Sequence, residues 1–188
     1  MSCDAVTKVS KLRAFINSDT NVSTAISRMQ FLRGDYSGRN NPIRPPWALA
    51  ENTFIERCEA CGDCIDRCPT HIIHQGRSNF PLIDFKSGEC LFCDECVDAC
   101  KPGALKKIDG QKPWSVTASI NSKTCLAYRN VECRSCYDPC EARAIKMTPR
   151  IGGVSIPLLN NTDCTGCGAC FGVCPVQAVN MNIKPLEV

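Results

Sequence analysis

Aromatic side chains make up only 6% of this chain of 188 residues, which contains seven Phe, three Tyr and two Trp. One large core built on ring packing is therefore excluded, and small units that need a further staple are favoured. Histidine is nearly absent, with His71 and His74 the only two. There is no nucleophile motif and no glycine loop of the P-loop or Rossmann kind, so independent substrate turnover is not expected. The two histidines, three residues apart beside a cysteine cluster, read as surface decoration rather than as a metal site. No run approaches the roughly 20 apolar residues of a membrane span. No basic start leads into the apolar stretch of about 7–15 residues that marks a secretory signal. The segment Ser27-Arg28-Met29-Gln30-Phe31-Leu32-Arg33 approximates a twin-arginine export motif, but Met29 takes the place of the second arginine and residues 34–41 are polar. The reading is a chain that stays in a reducing cytoplasm. Charge of one sign is also scarce. The formal net charge is +3, and its excess lies in residues 1–57, which hold eight Lys/Arg against five Asp/Glu. Strong nucleic-acid affinity is not indicated.

Cysteine, by contrast, is abundant at seventeen residues. Sixteen fall into four quartets. The first is Cys58, Cys61, Cys64 and Cys68, followed by Pro69. The second is Cys90, Cys93, Cys96 and Cys100, with the same gaps. The fourth is Cys164, Cys167, Cys170 and Cys174, followed by Pro175. The third, Cys125, Cys133, Cys136 and Cys140, has a first gap stretched to seven residues. The run C-x2-C-x2-C-x3-C-P is the bacterial ferredoxin signature, in which thiolates hold an iron–sulfur cube. Four quartets imply four 4Fe–4S clusters with all sixteen cysteines as ligands. Structural zinc fits poorly, because its ligand pairs are usually separated by a longer loop. Disulfide frameworks belong to oxidising compartments, and the cysteine count is odd. Cys3 stands alone and reads as a terminal thiol without a ligand role. Each oxidised cluster with its thiolates adds a charge of about −2, so the loaded chain carries about −5 in place of +3. Folding and metal loading are expected to be coupled, so that metal-free protein shows no cooperative thermal transition of native amplitude.

The chain repeats from Cys58 onward. Each quartet runs into a short apolar segment: Ile72-Ile73, Ala104-Leu105, Ala144-Ile145 and Ala178-Val179. Gly-containing gaps then suggest three hairpins. They lie across residues 76–79, across Asp109-Gly110 (joining Leu105–Ile108 to Val116–Ile120) and across Ile151-Gly152-Gly153. Residues between the third and fourth cysteines, such as Ile65-Asp66-Arg67 and Phe171-Gly172-Val173, should begin short helices. Ahead of the quartets, Val22, Ala25, Ile26, Met29 and Leu32 recur at helical spacing, with Thr20 or Ser18 as cap. That stripe either packs on the protein's own body or docks a partner. Pro42, Pro45 and Pro46 read as an extended connector leading to Trp47, an anchor onto the body. The fold class is thus α+β: duplicated two-cluster ferredoxin-like units with an N-terminal extension. The divisions are 1–50 (docking extension with Pro-rich connector), 51–112 (first unit) and 113–188 (second unit).

In two-cluster ferredoxins the fourth cysteine of one run serves the other cluster. Applied sequentially, Cys58, Cys61 and Cys64 share a cube with Cys100, and Cys90, Cys93 and Cys96 with Cys68. Likewise Cys125, Cys133 and Cys136 join Cys174, and Cys164, Cys167 and Cys170 join Cys140. A nested pairing of quartet one with four and two with three remains an alternative; consecutive elements tend to be neighbours, which favours the sequential one. Glu89, Asp94, Glu95 and Asp98 flank quartet two, whereas Arg129, Arg134 and Arg143 flank quartet three. Charge alone therefore assigns the lowest potential to the cluster built on quartet two. The loop Leu126 to Glu132 in the stretched quartet either shields its cluster or presents Tyr128 and Arg129 to a partner.

The segment Ser27 to Gly34, the run Ile43-Arg44-Pro45-Pro46-Trp47 and the stretched third quartet (Cys125-Leu126-Ala127-Tyr128 through Val131-Glu132-Cys133-Arg134-Ser135-Cys136) together resemble the NapF family, the ferredoxin-type proteins of periplasmic nitrate reductase systems. The similarity spans roughly Ser27 to Ile183, and Met29 departs from the paired arginines of family members. The resemblance implies a bacterial cytoplasmic iron–sulfur protein with the sixteen quartet cysteines as ligands. It implies contact with the catalytic subunit NapA before export and assistance in its maturation, by loading or reducing its 4Fe–4S centre. The alternative is a general electron-transfer ferredoxin or the electron-transfer subunit of an oxidoreductase complex.

Overall fold

A computed structural model describes residues 42–184. The amphipathic stripe of residues 20–33, Cys3 and most of the proposed docking extension lie outside the described residues. What is described is built twice from one plan: an entering segment, a quartet, a hairpin, a second quartet, and a return segment that pairs with the entering one.

In the first copy the entering segment is Ile43 to Ala50. Ala48 bridges Leu105 in antiparallel fashion, the Leu49 amide donates to the Ala104 carbonyl at 3.1 Å, and the Lys106 amide donates to the Trp47 carbonyl at 2.9 Å. Helix α1 (Glu51–Arg57) follows. Glu51 in its first turn and Arg57 in its last suit the helix dipole, and Phe54 is fully buried beneath it. Helix α2 (Asp63–Asp66) carries the third cysteine of quartet one. Strands β1 (Ile73–Gln75) and β2 (Pro81–Ile83) form a hairpin with Ile73 opposite Ile83. Helix α3 (Glu95–Asp98) then carries Cys96.

The second copy enters on β3 (Val116–Ile120) and passes through quartet three into the hairpin β4 (Ile145–Thr148)–β5 (Ile156–Leu159), with Ile145 opposite Leu159. It continues through α4 (Ala169–Gly172), which carries Cys170, and returns on β6 (Val179–Ile183). β3 and β6 pair antiparallel from Val116↔Ile183 to Ile120↔Val179. The inward residues of β3, Val116 and Ala118, alternate with more exposed ones, the period of a half-buried strand.

Two of the three expected hairpins form, and the one across Asp109-Gly110 does not. Leu105 pairs backward with Ala48, and Val116–Ile120 pairs with β6. Each strand thus serves its own copy, and the intervening residues are a link between copies. The Pro-rich connector is also more than a connector. The Ile83 amide donates to the Ile43 carbonyl at 2.8 Å. The Arg44 guanidinium forks onto Glu51 (Nε–Oε2 3.0 Å, Nη2–Oε1 2.6 Å), donates to the Pro81 carbonyl at 2.9 Å, and lies over the Phe54 and Phe80 rings at 5.0 and 5.7 Å. Pro45 is fully buried. Residues 43–50 therefore strap the first copy shut. No helix among the described residues is long and apolar enough to cross a membrane.

Candidate iron–sulfur sites

Three of the four wrapping loops bend by the same device. Two left-handed residues fall at equivalent positions in quartets one, two and four: Ala60 and Gly62, Phe92 and Asp94, Gly166 and Gly168, with φ between 52° and 89°. Alternating handedness turns successive amides toward one point, a nest suited to an anionic group. A left-handed non-glycine residue costs about 1–2 kcal/mol, so Ala60, Phe92 and Asp94 hold strain that the site must offset. Quartet three lacks the device between Cys133 and Cys136. Its added residues form a short 3₁₀ turn at Ala127–Arg129, closed by left-handed Asn130. That turn is fastened to the second hairpin: the Tyr128 hydroxyl donates to the Pro157 carbonyl at 3.3 Å, and the Val154 amide donates to Asn130 Oδ1 at 3.2 Å. Ala127 is fully buried, while Arg129, Val131 and Arg134 are exposed.

A second device was not apparent from the sequence. Three residues after every fourth cysteine stands a left-handed residue: His71, Gly103, Arg143 and Gln177. Each of these amides donates back to the carbonyl of that cysteine, at 3.1, 3.2, 2.9 and 3.2 Å. The tight turn sends the next amides onto the cysteine sulfur. Leu105 N–H donates to Cys100 Sγ at 3.3 Å and Ala178 N–H to Cys174 Sγ at 3.2 Å. Only Gly103 advertises this conformation by residue type; the other three leave no signal in one sequence.

The sixteen thiols gather into four groups. Site I contains Cys58, Cys61, Cys64 and Cys100, which line one hollow. Site II contains Cys90, Cys93, Cys96 and Cys68, which line another. In site III, burial and then the charges of Cys125, Cys133 and Cys174 push the Cys136 thiol up to about 11. In site IV, burial and then Cys167, Cys164, Cys136 and Cys140 push Cys170 up to about 12. Burial is likewise the first cause at Cys64 and Cys90 (about 11) and at Cys96 (about 12), and the charges of their group members raise each further, against the Phe92 amide at Cys90. Every group takes three thiols from one quartet and the fourth from its neighbour within the same copy. Cys68 differs in sign. Burial raises its thiol, but the Thr70 hydroxyl and the amides of Ile72, Thr70 and Ile73 outweigh it and lower the pKa.

These donor sets fit a 4Fe–4S cube better than zinc. Four thiolates on one zinc stand about 3.8 Å apart, given a Zn–S bond of about 2.3 Å. On a cube each thiolate binds its own iron at a separate corner. Among the described residues no three His, Cys, Asp or Glu side chains form a group able to hold a single metal ion, and all sixteen cysteines are unbridged. His71 is exposed and His74 pairs with the Ser87 hydroxyl at 3.0 Å.

Comparison with known proteins agrees with this geometry. Two family models, each described as a 4Fe-4S dicluster domain, match residues 57–105 and 131–178. The ferredoxin-type protein NapF of Escherichia coli K12 is 40% identical over 153 residues, covering 81% of this chain and 92% of that protein. NapF of Haemophilus influenzae is 45% identical over 167 residues, covering 84% and 94%. This chain belongs to the NapF family of ferredoxin-type proteins. It is an iron–sulfur protein with two dicluster domains, one in each copy of the fold. The ferredoxin-type protein MauM for methylamine utilization, from Methylobacillus flagellatus, is also similar, at 32% identity over 78% of this chain and 69% of that protein. The second family match begins after Cys125, as the stretched gap requires: seven residues displace that cysteine from the common pattern. It is nonetheless 92% buried and acts first among the thiols on Cys136.

The strap reaches the sites as well. Trp47 Nε1 donates to Asp94 Oδ1 at 2.9 Å, and Lys107 Nζ, lying over the Trp47 ring, pairs with Asp94 Oδ2 at 2.6 Å. Asp94 is one of the left-handed residues of quartet two, so the Ile-Arg-Pro-Pro-Trp run ends on a wrapping loop of site II.

Proposed function

We propose that the chain is a non-catalytic iron–sulfur accessory protein carrying four 4Fe–4S clusters, one on each of sites I to IV. A bound cluster supplies one reversible electron; the chain encloses it, donates amide hydrogen bonds to its sulfurs and holds it at a fixed place. We further propose that the protein acts in the cytoplasm on the catalytic subunit of the periplasmic nitrate reductase, loading or reducing its iron–sulfur centre before export. The observation that carries the cluster reading is the fourfold recurrence of three thiols plus one crossed thiol, each crossed cysteine followed by the same left-handed turn. The partner reading is supported by the NapF relatives, which share four fifths of the chain.

Anaerobic purification with iron and acid-labile sulfide analysis tests the first part. About sixteen irons and sixteen sulfides per chain are expected from four cubes; colourless protein free of sulfide after reconstitution refutes it. For the second part, deletion of residues 1–41 should abolish capture of the reductase subunit while leaving the iron content unchanged. The cut must stop before residue 42, because Ile43, Arg44 and Trp47 hold the first copy together. Undiminished capture and maturation by the truncated protein would remove the docking role from residues 1–41, and failure of the full-length chain to capture the subunit would favour the second reading, a general electron-transfer ferredoxin. That reading has its own support in the similarity to MauM.

A further inference from the structure

The two copies meet along a seam that neither dicluster domain needs for its own clusters. Cys90 of site II donates its amide to the carbonyl of Cys167 of site IV at 2.8 Å. Trp114 Nε1, in the link between copies, donates to the Thr165 carbonyl at 2.9 Å. The Phe85 ring is buried, with Trp114 edge-on at 5.9 Å and Phe171 at 6.3 Å. Gly168, between two ligands of site IV, lies close against that ring, and a Cβ built there would overlap it. A Cβ on Gly166 would overlap the Val116 carbonyl. Both glycines are left-handed, but so is Gly62 at the position in quartet one equivalent to Gly168, where a Cβ would meet nothing within 4 Å. Handedness explains all three glycines, and Gly166 is further crowded by β3 of its own copy; close approach of the copies explains Gly168 alone.

Within the first copy the two sites are tied by exchange of their fourth cysteines, Cys100 lining site I and Cys68 lining site II, and the second copy repeats that plan with Cys174 and Cys140. Across the seam, the bond from the Cys90 amide to the Cys167 carbonyl joins a ligand residue of site II to one of site IV. We infer that the seam of Phe85, Trp114 and Gly168 is a positioning device that holds site II against site IV. The four sites then stand in the single order I, II, IV, III, and the two copies form one electron path with sites I and III at its ends. The inference rests on the cluster reading above. The chemistry asked of the seam is one-electron exchange between its two flanking sites. One loses an electron as the other gains it, no bond changes and no proton moves, and a low-potential one-electron reductant such as dithionite supplies the electron.

The test uses full-length protein reconstituted anaerobically, as wild type, Gly168→Ala, Gly152→Ala and Trp114→Phe. Iron and sulfide are counted first, and failure of the wild type to load refutes the cluster reading rather than the seam. The loaded proteins are then reduced with dithionite and followed by low-temperature EPR at rising microwave power. Gly152→Ala, at a left-handed glycine in the turn of the second hairpin where a Cβ meets nothing within 4 Å, introduces the same backbone strain without the clash, and should match the wild type. Gly168→Ala should keep its iron content but lose the spin–spin interaction between copies, so that its centres behave as two separate pairs. Hydrogen exchange at the Cys90 amide should quicken in the same variant. Should Gly168→Ala fail to load, Trp114→Phe, which leaves a smaller aromatic ring at the seam and removes the bond to Thr165, must show the weakened interaction. Wild-type spin interaction in a fully loaded Gly168→Ala protein, or in Trp114→Phe when that variant has to decide, overturns the inference.

Discussion

Replacing Arg44 with alanine probes the strap that closes the first copy. Its side chain is only 13% exposed, and that of its partner Glu51 is 33% exposed. The guanidinium makes three separable contributions. The charge-assisted bond to the Pro81 carbonyl at 2.9 Å contributes about 1.5–3 kcal/mol. The fork onto half-exposed Glu51 adds about 1 kcal/mol, the upper end for solvent-accessible pairs. Stacking on Phe54 and Phe80 adds about 0.5–1 kcal/mol. The three share one group and are not additive, so the expected loss is about 2–3 kcal/mol. Cluster loss makes unfolding irreversible, so the observable is a rate. If the strap is unmade in the transition state, the whole loss appears there, and anaerobic bleaching of the visible absorbance in denaturant should quicken roughly 30- to 150-fold. Arg44→Lys keeps the charge but loses the fork and the stacking face, and should fall between. Bleaching of Arg44→Ala at the wild-type rate would refute the reasoning. It would mean that residues 43–50 lie on the first copy without holding it.

Three further outcomes follow from the sites. Cys125→Ser and Cys174→Ser should alter the EPR signature of the same centre, and Cys140→Ser that of the centre altered by Cys164→Ser. A common target for Cys140 and Cys125 would mean that the fourth ligands do not cross. Thr70→Val removes one of the donors facing Cys68 (Oγ1–Sγ 3.6 Å), and because such donors favour the more negative reduced state, one centre should fall in potential by tens of millivolts; a rise in a potentiometric titration counts against the argument. Gly103→Ala should cost only about 1 kcal/mol in the same bleaching assay, because its Cβ meets open space and His71, Arg143 and Gln177 already occupy the equivalent left-handed position.

What was legible in the sequence was local. The quartet spacing located all four thiol clusters, and Gly-containing gaps located the two hairpins whose strands lie within a few residues of each other. The pairing of β3 with β6 joins Val116 to Ile183 across the whole second copy, and no periodicity reports such a partner. The turn at Asp109-Gly110 therefore looked like a hairpin although its flanks belong to different copies. The Arg44 strap was hidden for another reason. Three prolines within five residues signal extended backbone, which describes a linker and a packed edge segment equally well. Burial of Pro45 and the reach of Arg44 to Pro81 exist only in three dimensions. The left-handed residues at His71, Arg143 and Gln177 had no glycine to mark them.

Counting charges places the lowest potential on the site built from quartet two, and the structure weakens that ranking from both sides. Asp94 is held below the usual carboxylate range first by Lys107, against the pull of burial, and then by the Trp47 indole. Its field at the site is thus that of a neutral ion pair rather than of a free carboxylate. Site II also contains Cys68, whose sulfur faces the Thr70 hydroxyl and the amides of Ile72, Thr70 and Ile73, and donors raise a cluster's potential. Around quartet three, Arg129, Arg134 and Arg143 are exposed, where water and salt screen them. Carboxylate count and donor count therefore oppose each other at site II, and the cationic surroundings of site III are muted. The potentials of sites II and III should lie closer together than charge alone implies. For a chain in which II and IV abut in the middle, a narrow spread favours electron exchange in either direction between the two ends.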